Sequence, residues 1–145
     1  MAGTLRVWEI MTKAVKTVGV DANVREVVQK MNKFKIGSIV VVEGKRPVGI
    51  LTERDILQKI VAPCLDPATV GVKEIMSSPL VTVNSDISIE DAAKLMAKKK
   101  IKTLPIVEDD ELVGIVTSMD LIRAAPKLVE LLEDLLDVGR YWINI

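Results

Sequence analysis

Two segments carry most of the chemistry in this sequence: Gly49-Ile50-Leu51-Thr52-Glu53-Arg54-Asp55 and Gly114-Ile115-Val116-Thr117-Ser118-Met119-Asp120. In each, a glycine lets a strand backbone come close to something, a hydroxyl follows at a helix start, and a carboxylate stands three residues later. Threonine and aspartate at that spacing can grip a polyol phosphate. The carboxylate accepts hydrogen bonds from vicinal ribose hydroxyls, while the hydroxyl and the N–H groups of the helix end meet phosphate. The same Thr-x-x-Asp pattern ahead of an apolar run is also a capping box, which stabilises a helix and binds nothing. Duplication preserves caps as well as sites, so both readings stand.

Composition removes other chemistries. The 145 residues contain no histidine, which excludes histidine triads, histidine metal sites and histidine acid–base catalysis. Cys64 is the single cysteine, so no internal disulfide or CxxC site exists, as suits a reducing compartment. No nucleophile–base pair is evident, and the chain is expected not to be an enzyme. Lys+Arg and Asp+Glu number 20 each, and Phe34, Tyr141, Trp8 and Trp142 are the only aromatic platforms, which argues against nucleic-acid binding. The longest strictly aliphatic run, Ile39 to Val42, is far short of the roughly 20 residues that span a bilayer. The amino terminus mixes charge among its apolar residues, unlike a signal peptide. A cytoplasmic protein with no membrane partner is expected.

The elements that must position the two segments come from a repeat. Glu9-Ile10-Met11 matches Glu74-Ile75-Met76 at an offset of 65, and at that offset about 18 of 52 aligned positions are identical, without a gap. Each copy reads strand, helix, strand, strand, helix. Asn23 with Glu26, and Ser88 with Asp91, have capping-box spacing and open the apolar stripes Val24, Val27, Val28, Met31 and Ile89, Ala92, Ala93, Met96. Two apolar runs around a charged turn follow (Glu43 to Arg46; Glu108 to Glu111), predicting a β-hairpin on each helix. The expected division is a first unit over 1–62, a linker over 63–71, a second unit over 72–125 and a helical tail over 126–145. Two such small units bury their faces most simply by packing sheet to sheet.

The unit resembles a CBS domain, and the tandem pair resembles a Bateman module. The likeness rests on the Glu-Ile-Met openings, Thr17-Val18 and Thr82-Val83, the runs Ile36-Gly37-Ser38-Ile39-Val40-Val41 and Ile101-Lys102-Thr103-Leu104-Pro105-Ile106, and the two Gly-h-h-Thr-x-x-Asp segments, h being aliphatic. The resemblance implies an α/β (α+β) fold of two β-α-β-β-α units with pseudo-twofold symmetry, leaving two clefts. In the family these take adenosine-containing ligands: AMP, ADP, ATP or S-adenosylmethionine, as regulatory ligands with no obligatory cofactor. It further implies that Asp55 and Asp120 hold ribose hydroxyls, with Thr52 and Thr117 at phosphate or ribose. Thr17, Val18, Ser38 and Ile39, and Thr82, Val83, Thr103, Leu104 and Pro105, frame adenine through backbone hydrogen bonds and aliphatic contact. Arg54 precedes Asp55 but Met119 precedes Asp120, and Lys102 replaces Gly37 where the family often has a basic residue facing phosphate. Arg54 ranks the Asp55 site first. A homodimer of modules is also implied, as is a stand-alone module whose regulated target is another protein. The alternative is an interaction module whose Thr-x-x-Asp segments serve only as caps.

Other features have plainer readings. Lys98 to Lys100 suit a helix carboxyl end, the acidic turn Glu108 to Glu111 is not expected to hold a metal, and the six methionines fit core packing. The tail predicts a helix from Pro126 to Gly139, with Leu128, Leu131, Leu132, Leu135 and Leu136 as its stripe and Tyr141-Trp142 beyond. Residues 1–65 carry 11 basic and 6 acidic side chains (+5), and residues 66–145 carry 9 and 14 (−5). Few Gln and Asn among many charges hint at a thermophile.

Overall fold

A computed structural model describes residues 5–78 and 80–135. The two copies fold alike. The first runs β1 (Thr17–Gly19), α1 (Val24–Phe34), β2 (Ser38–Glu43), β3 (Arg46–Thr52) and α2 (Glu53–Ile56), which continues as a π-helical turn over Leu57–Val61. After α3 (Val72–Ile75) the second runs β4 (Val83–Asn84), α4 (Ile89–Lys99), β5 (Thr103–Glu108), β6 (Glu111–Thr117) and α5 (Ser118–Ala124).

Local chemistry sets these limits. The Asn23 side chain accepts the Glu26 N–H at 2.9 Å and Ser88 accepts that of Asp91 at 3.0 Å, so each long helix starts where the sequence places a cap. Each ends on a lysine in the left-handed region, Lys35 (φ 54°) and Lys100 (φ 56°). The hairpin of β5 and β6 turns through Asp109 and Asp110, both at positive φ, as a two-residue type I′ turn requires.

Each sheet has three strands, ordered β1-β2-β3 and β4-β5-β6. β1 lies parallel to β2 with Thr17 opposite Val40, and β3 lies antiparallel with Ser38 opposite Thr52. In the second sheet β4 is parallel to β5, with Val83 opposite Ile106. Apolar residues of α1 and α4 close over these sheets. Val24, Val27 and Met31 join Ile39, Val41 and Leu51, while Ile89, Ala92, Ala93 and Met96 join Leu104, Ile106 and Val116.

Two compact units emerge. One comprises residues 15–80 with 110–112; the described part of the other comprises 5–14, 81–109 and 113–135. The opening segment of each repeat therefore lies with the sheet of the other repeat. Thr12 bridges Ile115 on β6 through bonds of 2.9 and 3.0 Å, and Ser77 bridges Ile50 on β3 through bonds of 2.9 and 3.3 Å. Val7, fully buried, belongs to the core of α4, and Ile75 to the core of α1. The division at 1–62 and 72–125 describes the repeat, whereas the compact units exchange their openings.

The tail departs from one regular helix. It winds as a 3-10 turn (Pro126–Leu128), α6 (Val129–Leu132) and a second 3-10 turn (Glu133–Leu135). Leu128, Leu132 and Leu135 are buried against α4, but Leu131 is 38% exposed, because only one ridge of so short a segment faces the core. Leu136, Gly139, Tyr141 and Trp142 lie outside the described residues. Met119 is 44% exposed and departs from the core placement expected of the methionines.

Candidate functional site

The register gathers the expected site residues of each repeat at one end of its own sheet. β1 and β2 are parallel and both begin at this end, and antiparallel β3 finishes there. Thr17 and Val18, Gly37 to Ile39, and Thr52 to Asp55 therefore share one sheet edge. The Glu53 N–H donates to the Gly37 carbonyl at 3.0 Å, tying the start of α2 to the start of β2. In the second repeat Ser118 N–H donates to the Lys102 carbonyl at 2.9 Å. The same edge there assembles Thr82 and Val83, Lys102 to Pro105, and Thr117 to Asp120.

Both Thr-x-x-Asp segments form capping boxes. Thr52 N–H donates to Asp55 Oδ2 at 2.9 Å, and Asp55 N–H donates to Thr52 Oγ1 at 3.2 Å. The Thr52 hydroxyl also donates to Asp55 Oδ2 at 3.1 Å. In the second copy Thr117 N–H donates to Asp120 Oδ2 at 2.9 Å and Asp120 N–H to Thr117 Oγ1 at 3.2 Å. What separates the copies is the other carboxylate oxygen. Asp55 is 9% exposed, and its Oδ1 lies 3.1 Å from Lys59 Nζ, which also donates to the Ile75 carbonyl at 2.8 Å. Asp120 Oδ1 lies 3.5 Å from Arg123 Nη1, at the limit of a hydrogen bond and on a side chain 72% exposed.

The motif glycines have a different cause from the one the pattern suggests. A Cβ on Gly49 would stand 2.4 Å from Met76 Sδ, and one on Gly114 would stand 2.3 Å from Met11 Sδ. The close approach is made by the methionine of an opening segment. Val18, Ile39 and Leu104 pack into the cores of their own units, Pro105 is buried and Val83 partly so, so these positions meet the sheet edge chiefly through their backbone. Thr17 contributes its carbonyl to the Lys30 ammonium. Arg54 is exposed on the first turn of α2, and Lys102 is exposed ahead of β5.

Sequence reasoning passed over Lys59, Lys30 and Met76 with Met11. Lys59 had a signal, since it follows Asp55 by four residues on one helical face; its repeat counterpart is Ala124, so this partner exists once. The methionines were legible as identities of the repeat but not as partners of the glycines. Among the described residues no group of three or more His, Cys, Asp or Glu is placed to hold a metal, and no helix is long and apolar enough to cross a membrane.

Two grooves contain none of the expected binding residues. One, of about 600 Å³, runs between α1 and α2. The other, of about 430 Å³, lies beside the tail at Glu90, Lys94 and Lys127.

A family model for the CBS domain matches residues 7–62 and again 72–127. The CBS domain-containing protein YhcV of Bacillus subtilis is 42% identical over 113 residues, which cover 78% of this chain and 80% of that one. An uncharacterised protein of Methanopyrus kandleri is 39% identical over 133 residues, covering 90% and 68%. Among solved structures, a hexameric CBS-CP12 protein from bloom-forming cyanobacteria has a TM-score of 0.77 at 32% identity, covering 99% of this chain and 88% of that one.

Proposed function

The chain belongs to the CBS-domain family and carries the domain twice, and from that premise we propose that it is a regulatory module holding an adenosine-containing ligand at its sheet edges. CBS pairs are a class often regulatory or ligand-binding. The ligands proposed are AMP, ADP, ATP or S-adenosylmethionine, and the consequence of binding is a change in how the module engages another protein. One observation carries the reading: in both repeats the register brings hydroxyls, a carboxylate and a cation (Arg54 or Lys102) to one sheet edge. Capping and ligand binding are compatible, because an ionised carboxylate has about four lone-pair sites and a cap occupies one or two.

On these contacts Asp120 is the readier ribose acceptor, the reverse of the order that Arg54 suggests. Two hydroxyls reaching Asp55 Oδ1 would compete with a partly buried lysine, whereas at Asp120 they would compete with an exposed guanidinium. We also read the working form as a homodimer; the hexameric assembly named for the cyanobacterial neighbour supports self-assembly as such.

Both Thr-x-x-Asp segments being formed caps favours a second reading, an interaction module that binds no nucleotide. Calorimetric titration with AMP, ATP and S-adenosylmethionine separates them. The regulatory reading expects one of the three to bind well below 1 mM, with Asp120→Ala weakening it more than tenfold, since each hydrogen bond to a charged group contributes about 1.5–3 kcal/mol. Asp55→Ala should weaken it less, and equal losses would contradict the order given.

A further inference from the structure

The two aspartates differ in how much of each carboxylate is left for a ligand. An ionised carboxylate has about four lone-pair sites, shared between its two oxygens. At Asp55 the Thr52 N–H and the Thr52 hydroxyl both donate to Oδ2, and Lys59 Nζ stands 3.1 Å from Oδ1. A vicinal diol gripped through both hydroxyls needs two free lone pairs, so it needs the one that Lys59 holds. At Asp120 the partner on Oδ1 is Arg123 at 3.5 Å, on a side chain that a diol can displace into solvent.

Lys59 is held from two sides. Its ammonium also donates, at 2.8 Å, to the carbonyl of Ile75, the last residue of α3. The lysine sits in the middle of the π-helical turn over Leu57–Val61, which begins two residues after Asp55; there the Ala62 N–H donates to the Leu57 carbonyl at 2.9 Å. Such turns recur at functional sites. In the second repeat α5 ends at Ala124, the residue that matches Lys59. Directly after Ile75, Met76 fills the space that the missing Cβ of Gly49 leaves, and Ser77 exchanges backbone bonds with Ile50 on β3, the strand that runs on into Thr52. One ammonium therefore joins the carboxylate of the first edge to the segment that lies along the same strand.

We propose that Lys59 sets the ligand response of the first edge. It keeps Asp55 closed to a vicinal diol, and a ligand that takes Asp55 draws the ammonium off that carboxylate and so disturbs its bond to the Ile75 carbonyl. This rests on the adenosine reading above and adds a division of labour: the second edge binds directly, while the first passes its occupancy to α3 and the residues after it.

The test is amide chemical-shift titration of the isotope-labelled full chain, and of Lys59→Met, with AMP, ATP and S-adenosylmethionine in turn. Methionine keeps the unbranched stem and removes the charge, and circular dichroism checks that the variant is folded. At the first edge, read at Thr52 and Glu53, Lys59→Met is expected to tighten binding by about tenfold or more, the weight of one hydrogen bond to a charged group. At the second edge, read at Thr117 and Ser118, affinity should be unchanged. The Met76 amide, which shares its peptide with the Ile75 carbonyl, should shift with the same midpoint as Thr52 in the native chain and stay still in Lys59→Met. First-edge affinity that is equal in the two proteins, or weaker in the variant, overturns the proposal and leaves the adenosine reading standing, as does a Met76 amide that ignores first-edge occupancy. No binding of any of the three by either protein at several millimolar overturns the adenosine reading and this proposal with it.

Discussion

At Gly49 and Gly114 a single missing Cβ makes room for Met76 and Met11. Residue type and spacing announced that something approaches these strands closely, but the approaching group lies far away in the chain, where no local pattern could name it. The prediction at this scale is that Gly114→Ala lowers stability by about 1–3 kcal/mol in urea denaturation, the ordinary cost of overpacking. Combining it with Met11→Ala should cost less than the two changes separately; simple additivity would show that the methionine is not the obstacle. The aspartates show the opposite balance. Their capping role was legible because it is wholly local, three residues from donor to acceptor. The Asp55–Lys59 pair shows in the sequence only as a spacing of four on one helix, and the fold sets the two groups 3.1 Å apart.

Among the elements, strands and long helices were the most legible, since period-two and period-3.6 patterns and the Asn23 and Ser88 caps are properties of contiguous residues. The tail was legible as helical and leucine-striped, but the face it buries depends on how it winds. A strict stripe includes both Leu131 and Leu132, whereas the 3-10 turns on either side of α6 leave Leu132 fully buried and Leu131 at 38% exposure. Leu132→Ala should accordingly cost about 2–5 kcal/mol, the range for a large side chain lost from a core. Leu131→Ala should stay near 0.5 kcal/mol, as surface changes do. Thermal or urea unfolding of the two variants checks this, and similar losses would mean that the tail packs on a broader face.

For the molecule as a whole, the duplication was plain in the sequence, and a family model for the CBS domain matches each copy. The exchange of opening segments was not, because Glu9-Ile10-Met11 and Glu74-Ile75-Met76 are equally apolar and either could serve either sheet. Nor does a site motif reveal that its aliphatic members turn inward, as Val18, Ile39 and Leu104 do; burial is decided by the finished core. The claim proposed for the whole molecule is that its two sheet edges take an adenosine-containing ligand. The most direct measurement of that claim is amide chemical-shift mapping of the isotope-labelled protein titrated with AMP, ATP and S-adenosylmethionine in turn. With at least one of them, the largest saturable shifts should fall on the edge residues, Thr82, Lys102 to Leu104 and Thr117 to Asp120 first and Thr17, Ser38 and Thr52 to Asp55 after them. Shifts confined to other surfaces, or none at several millimolar of all three, would contradict the account.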